Sequence, residues 1–103
     1  MVCNVCNKMG LLENIKKTLR NGEYALRPHA ITHILAEEFT ENDISEAVGN
    51  GKILESYENE NRCLIVGTFR ISERSSEHLH VVVDYWFGSD MACWIDIVTA
   101  YIP

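Results

Sequence analysis

At 103 residues, with 47% hydrophobic and 23% charged side chains, the chain has the size and makeup of one folded domain, which excludes a second domain and a largely disordered polypeptide. No apolar run is long enough to span a bilayer and the opening MVCNVCNKMG lacks the apolar core of a signal peptide, so a cytoplasmic location with no membrane partner is expected. The net charge of −6 is unevenly spread: residues 1–34 carry five Lys/Arg against two acids, residues 35–61 one against eight, and residues 62–103 three against five. Nucleic-acid affinity rests largely on cations neutralising phosphates, so only the basic N-terminal third offers an RNA-binding patch, from Lys16, Lys17, Arg20 and Arg27. The competing reading of these cations is an ordinary solvated helix face.

Cys3 and Cys6 form a CxxC, but a zinc ribbon needs a second pair and none follows. Cys63 and Cys93 lie in apolar strand-like runs, and no structural disulfide is expected. Leu11, Leu12, Ile15 and Leu19 recur at helical spacing, predicting a first helix over about residues 9–20 that Asn21-Gly22 stops. Pro28 opens a second helix, in which Ala30, Ile31, Ile34 and Leu35 form the apolar face. His29 and His33 fall away from the centre of that face, exposed or covered by another element. Thr40 and Asp43 make a capping pair for a third helix from about Glu41 to Val48, ended by Gly49-Asn50-Gly51.

Beyond this point the period becomes strand-like: KILESY, RCLIVGTFRI, LHVVVDYWF and ACWIDIVTAYI, linked by ENEN, SERSSE and GSDM. Links this short favour antiparallel neighbours. The expected fold class is α+β, with the N-terminal helices packed on one face of a four-stranded antiparallel sheet. Alternation puts Leu79, Val81, Val83 and Tyr85 on one side and His78, His80, Val82, Asp84 and Trp86 on the other, without deciding which faces the helices.

The ordered set His29-Ala30, Asn50-Gly51, Glu55, Tyr57, Gly67, His80 with Val81 to Val83, Thr99, Tyr101 and Pro103 resembles the family known as domain of unknown function 4258. That family is similar to RelE-type and BrnT-type toxins, small metal-independent endoribonucleases of bacterial toxin–antitoxin modules. The resemblance covers about residues 25–103 and leaves 1–24 as a CxxC segment and first helix of the same globular unit. It implies RNA as substrate, an antitoxin protein as partner and no cofactor. Where family members usually carry two arginines, this chain has His33 and Glu37. Cations that stabilise charge on a scissile phosphate must then come from elsewhere, with Arg62 and Arg70 as the strand candidates, or the copy is degenerate.

Under that resemblance His29 and His80 are candidates for general base and acid, since an imidazole can do either job near neutral pH, and Tyr101 for orienting a phosphate. Read structurally, the same residues are a helix-start histidine, a sheet histidine and a half-buried tyrosine. The pairs His29/His33 and His78/His80 would suit zinc or nickel only if helix and strand meet; no HExxH pattern is present, and no metal is expected. Trp86 and Trp94 read most simply as sheet-face packing or a contact in a homo-oligomer, and otherwise as base-stacking platforms. Two further functions stay open, a non-catalytic protein-binding module on the same fold and a small histidine-based metal binder.

Overall fold

The computed structural model describes residues 10–87 and 93–103. Three helices form where the apolar spacing requires them. Helix α1 spans Leu11–Arg20, buries Ile15, Thr18 and Leu19, and ends as Asn21 passes to Gly22 at φ 77°. After it, Tyr24–Leu26 forms a short strand, β1. Helix α2 spans Pro28–Glu37 with Pro28 in its first turn. Helix α3 spans Glu41–Asn50 behind the expected capping box, with Thr40 N donating to Asp43 at 2.9 Å and Asp43 N to Thr40 Oγ1 at 3.1 Å. It runs two residues past the expected Val48. Asn50, its last residue, acts as a surrogate strand: its amide donates to Thr68 O at 2.8 Å and accepts from Thr68 N at 3.0 Å.

The four anticipated strands are present as β2 (Lys52–Tyr57), β3 (Arg62–Ser72), β4 (Ser75–Phe87) and β5 (Cys93–Tyr101), antiparallel and adjacent in chain order. A 3-10 turn over Glu58–Glu60 links β2 to β3. The β3–β4 hairpin is tighter than expected, because strand pairing consumes most of SERSSE and leaves Glu73 and Arg74 as the turn. The sheet has five strands, not four, in the order β1-β5-β4-β3-β2. The extra strand, β1, runs parallel to β5, with Tyr24 opposite Ile95 and Leu26 opposite Ile97. Three residues are too few to show a period, and the parallel pairing is possible because nearly the whole domain lies between the partners.

Leu79, Val81, Val83 and Tyr85 face the helices and are buried with Cys63, Ile65, Ile95, Ile97 and Ala100. Helices α1 and α3 cover this face. Helix α2 instead flanks the edge of β5 beyond the end of β1, which corrects the expectation that all helices share one face. It buries Ala30 and half-buries Ile34, while Ile31 and Leu35, assigned to its apolar face, are exposed. A helix beside a sheet edge needs only a narrow buried stripe, and Ala30, His33, Ile34 and Glu37 supply it.

Gly67 marks the closest approach of α3 to the sheet: a Cβ there would stand 1.9 Å from Ala47 O. Gly67→Ala is expected to cost about 3 kcal/mol, because helix and strand must separate; a urea denaturation midpoint unchanged from wild type would show that they yield freely. Burial, with Asp84 adding to it, pushes the Cys63 thiol up to about 12. Thiolate is the reactive form, so Cys63 is expected to resist maleimide in native protein at mildly alkaline pH and to label only on unfolding, as read by peptide mass mapping.

Candidate functional site

The side chains with chemistry gather on the face of the sheet turned away from α1 and α3. On β4 these are His78, His80, Val82, Asp84 and Trp86, at alternate positions without a break. On β5 a bulge intervenes: Val83 pairs with Ile97 but Val82 with Thr99, leaving Val98 as the extra residue. The bulge switches parity, so Trp94 and Asp96 before it and Thr99 and Tyr101 after it all reach the open face. Without it Tyr101 would point into the core. Cross-strand register then sets Lys52, Val66, His80 and Tyr101 in one row, and Arg62, Asp84 and Asp96 in another.

Helix α2 adds two more rings. His29 and His33, one turn apart, touch edge to face with ring centroids 4.8 Å apart; His33 lies 6.3 Å from Tyr101, and Tyr101 lies 5.2 Å from His80. His80 Nδ1 and Tyr101 Oη are 3.3 Å apart, a long hydrogen bond. Glu37 anchors this line from behind. Its Oε2 lies 2.7 Å from His33 Nδ1 and its Oε1 accepts from Ile102 N at 2.8 Å. Donation from Nδ1 to the carboxylate leaves His33 Nε2 as the nitrogen able to exchange a proton. The Ile102 amide, and His33 after it, hold the Glu37 carboxyl below the usual glutamate range.

Two rows along the sheet, Asp84 and Asp96 stand directly opposite each other on β4 and β5. Like charges so placed repel, and two arginines resolve the conflict. Arg27 binds both, Nη2 to Asp84 at 2.9 Å and Nε to Asp96 at 3.0 Å, while Arg62 grips Asp84 from Nε at 2.6 Å and Nη2 at 3.1 Å. Asp84 is only 7% exposed as a result. Its carboxyl is held below the ordinary aspartate range, chiefly by the Arg62 hydrogen bond against the opposing effect of burial, with Arg27 contributing. Trp94 Nε1 donates to the second oxygen of Asp96 at 2.9 Å.

The span from Leu26 through this face to Ile102 matches a known family, described as Domain of unknown function (DUF4258), over residues 26–102. The chain belongs to it. Comparison with curated proteins and with solved structures returned no match.

In this DUF4258 chain the family span starts at the end of β1 and takes in α2, α3 and strands β2 to β5, whereas α1 precedes it. The candidates His29, His33, His80 and Tyr101 are brought together in one line. Arg70 is not. It pairs with Ser76 toward the opposite end of β3, about 13 Å along the strand from Val66 in the His80 row, and its backbone N–H is held by Glu46. Lys16, Lys17 and Arg20 lie on α1 across the sheet from the open face. Lys16 pairs there with Glu13 at 3.7 Å and, with Arg20, lines a cleft between α1 and α3, so these cations form no patch with Arg27. Arg27 and Arg62 do share the open face, but each is committed to acids.

Lys52, for which the sequence holds no local signal, stands in the row of His80 and Tyr101. Asp84, Asp96 and Glu37 were missed as organisers of the site. The DYW and WID patterns carried the aspartates, but their opposition depends on register. Among the described residues no three His, Cys, Asp or Glu side chains converge as metal ligands, and no helix is long and apolar enough to cross a membrane. Cys3 and Cys6 lie outside the described residues, as do the first part of the expected initial helix and the GSDM link.

The arginine–aspartate network fixes a pH dependence. Because the Asp84 carboxyl is depressed in the folded state, its contribution is complete above the unfolded aspartate range and is lost as pH falls through the lower, folded value. Denaturation midpoints measured from neutral pH downward are expected to fall in that acidic window, with a shallower fall for Asp84→Asn, although Glu37 adds a parallel term. Arg27→Ala is expected to cost about 2 kcal/mol at neutral pH, since it leaves Asp84 and Asp96 opposed; a loss within error of zero would show that Arg62 alone suffices.

Proposed function

We propose that this protein is a metal-independent endoribonuclease of the toxin–antitoxin type, related to RelE-type and BrnT-type toxins, and that it cuts single-stranded RNA on the open face of the sheet. The observation that carries the reading is the line His29, His33, Tyr101, His80, in which helix and strand residues far apart in sequence meet as ring neighbours. Such a line supplies what cleavage by the neighbouring 2′-hydroxyl needs. One imidazole removes the 2′-hydroxyl proton as that oxygen attacks phosphorus, and another protonates the departing 5′-oxygen, leaving a 2′,3′-cyclic phosphate. His29 and His80 take these two roles in this reading, with Tyr101 directing its hydroxyl at the phosphate and His33 held in place by Glu37. The partner implied is a small antitoxin protein, and the location cytoplasmic.

Charge stabilisation is the weaker half of this site. Arg27 and Arg62 are already matched by Asp84 and Asp96, and His33 and Glu37 stand where the resemblance implies two helix arginines. Lys52 is the cation best placed to assist, two strands from His80 in its own row, or about 10 Å between strand axes, a span its long side chain can partly cover. Slow turnover follows. The alternative, a non-catalytic protein-binding module on the same fold, draws on this neutralisation of the arginines and on the −6 net charge.

Purified protein is expected to cleave single-stranded RNA in the presence of a chelator, with 2′,3′-cyclic phosphate ends visible by mass spectrometry. His80→Ala and His29→Ala are each expected to lose roughly a hundredfold in kcat/KM with the fold intact, and His33→Arg to gain. Wild-type protein that leaves RNA whole and does not slow bacterial growth, together with an inert His33→Arg/Glu37→Arg variant, would replace this reading with the binding module.

A further inference from the structure

Trp86 and Trp94 stand opposite each other on β4 and β5, and both indoles are open to solvent, at 45% and 43% exposure. This exposure departs from the sheet-face packing expected of them and is compatible with the other expectation, a contact in a homo-oligomer. Their neighbour Phe87 does pack against the core and stacks on Tyr85 at 5.3 Å. Two adjacent exposed indoles are a large apolar surface for a chain to leave in water.

From these observations we propose that Trp86 and Trp94 form a base-stacking subsite for single-stranded RNA, placed along the strand from the His80–Tyr101 row. This deepens the ribonuclease reading and rests on it for the identity of the ligand. Trp86 shares the face of His80 and lies six residues further along an unbroken strand, about 20 Å away, a distance that a few nucleotides of stretched single strand cover. Trp94 has its indole N–H tied to Asp96, which Arg27 in turn holds, so this ring is fixed before any ligand arrives. Between the two sites Arg27 and Arg62 are in contact with Asp84 and Asp96, so those four charges cancel, while Glu60, 4.0 Å from Arg62, adds an acid at the margin that the RNA backbone would pass.

The same surroundings argue against a protein-docking patch. Among the described residues the row next to the indoles is ionic, Arg62, Asp84 and Asp96, so there the two rings adjoin charge and not a continuing apolar surface, which suits bases stacking one at a time.

These are the chain's two tryptophans, so intrinsic fluorescence reports on the subsite directly. A short 2′-O-methyl oligouridine, which lacks the attacking hydroxyl and is not cut, is expected to quench wild-type emission saturably, whereas a duplex of equal length does not. By anisotropy of the labelled oligomer, Trp86→Ala/Trp94→Ala is expected to weaken binding roughly tenfold or more, and Trp86→Phe/Trp94→Phe to keep most of it. Cleavage of a dinucleotide too short to reach the indoles should be unaffected by either double variant. RNA that is cleaved by wild type with no quenching and no loss in the alanine variant overturns the subsite and leaves the ribonuclease reading standing. Quenching and tenfold weakening without any cleavage uphold the subsite and overturn catalysis. Unchanged RNA affinity with loss of a dimer in the alanine variant, seen by sedimentation, overturns the proposal in favour of a contact between copies of the chain.

Discussion

Asp84 and Asp96 face each other across β4 and β5, and the rest of the open face is arranged around that conflict. A pair of opposed carboxylates is unfavourable in a sheet unless cations fill the space between them. Arg62 arrives from β3 and Arg27 from the end of β1, so the same contacts that neutralise Asp84 also tie four of the five strands together. The link through Arg27 matters most for position. It pins the residue immediately before α2, and α2 carries His29, His33 and Glu37.

With that junction fixed, the brevity of β1 becomes structurally useful. It pairs with β5 only from Ile95 to Ile97, and α2 takes up the edge beyond. Glu37 there accepts the Ile102 amide, a strand-edge donor that would otherwise face water. The same carboxylate orients His33 toward Tyr101, which the Val98 bulge has turned out of the core. Edge protection and site assembly are therefore one arrangement: a helix beside the sheet can lend rings to its open face, and a helix lying on the covered face cannot.

Electrostatics then shape the chemistry available. The imidazoles and the tyrosine are gathered as ring neighbours, while the nearest guanidiniums are held by Asp84 and Asp96. Lys52 is the neighbouring cation without such a commitment among the hydrogen bonds and ion pairs of the described residues. Under the proposed ribonuclease reading, such a site is stronger in proton transfer than in holding negative charge.

The helices, their capping and stop residues, and the four long strands were legible in the sequence because each follows from contacts within a few residues: apolar spacing, a Thr–Asp cap, Asn-Gly at a turn, alternation along Leu79 to Tyr85. The DUF4258 pattern was legible for the same reason, being a fixed order of short local signals. Tertiary structure alone decided which alternating face of β4 is buried, that Tyr24–Leu26 is a strand, that Ile31 and Leu35 are exposed, and that His29, His33, Tyr101 and His80 meet while Arg70 and the α1 cations stay apart. Each of these depends on partners many positions away. A single bulged residue, Val98, reverses the facing of everything after it, and no local pattern in that stretch records where the extra residue falls, because register is chosen by the sheet as a whole.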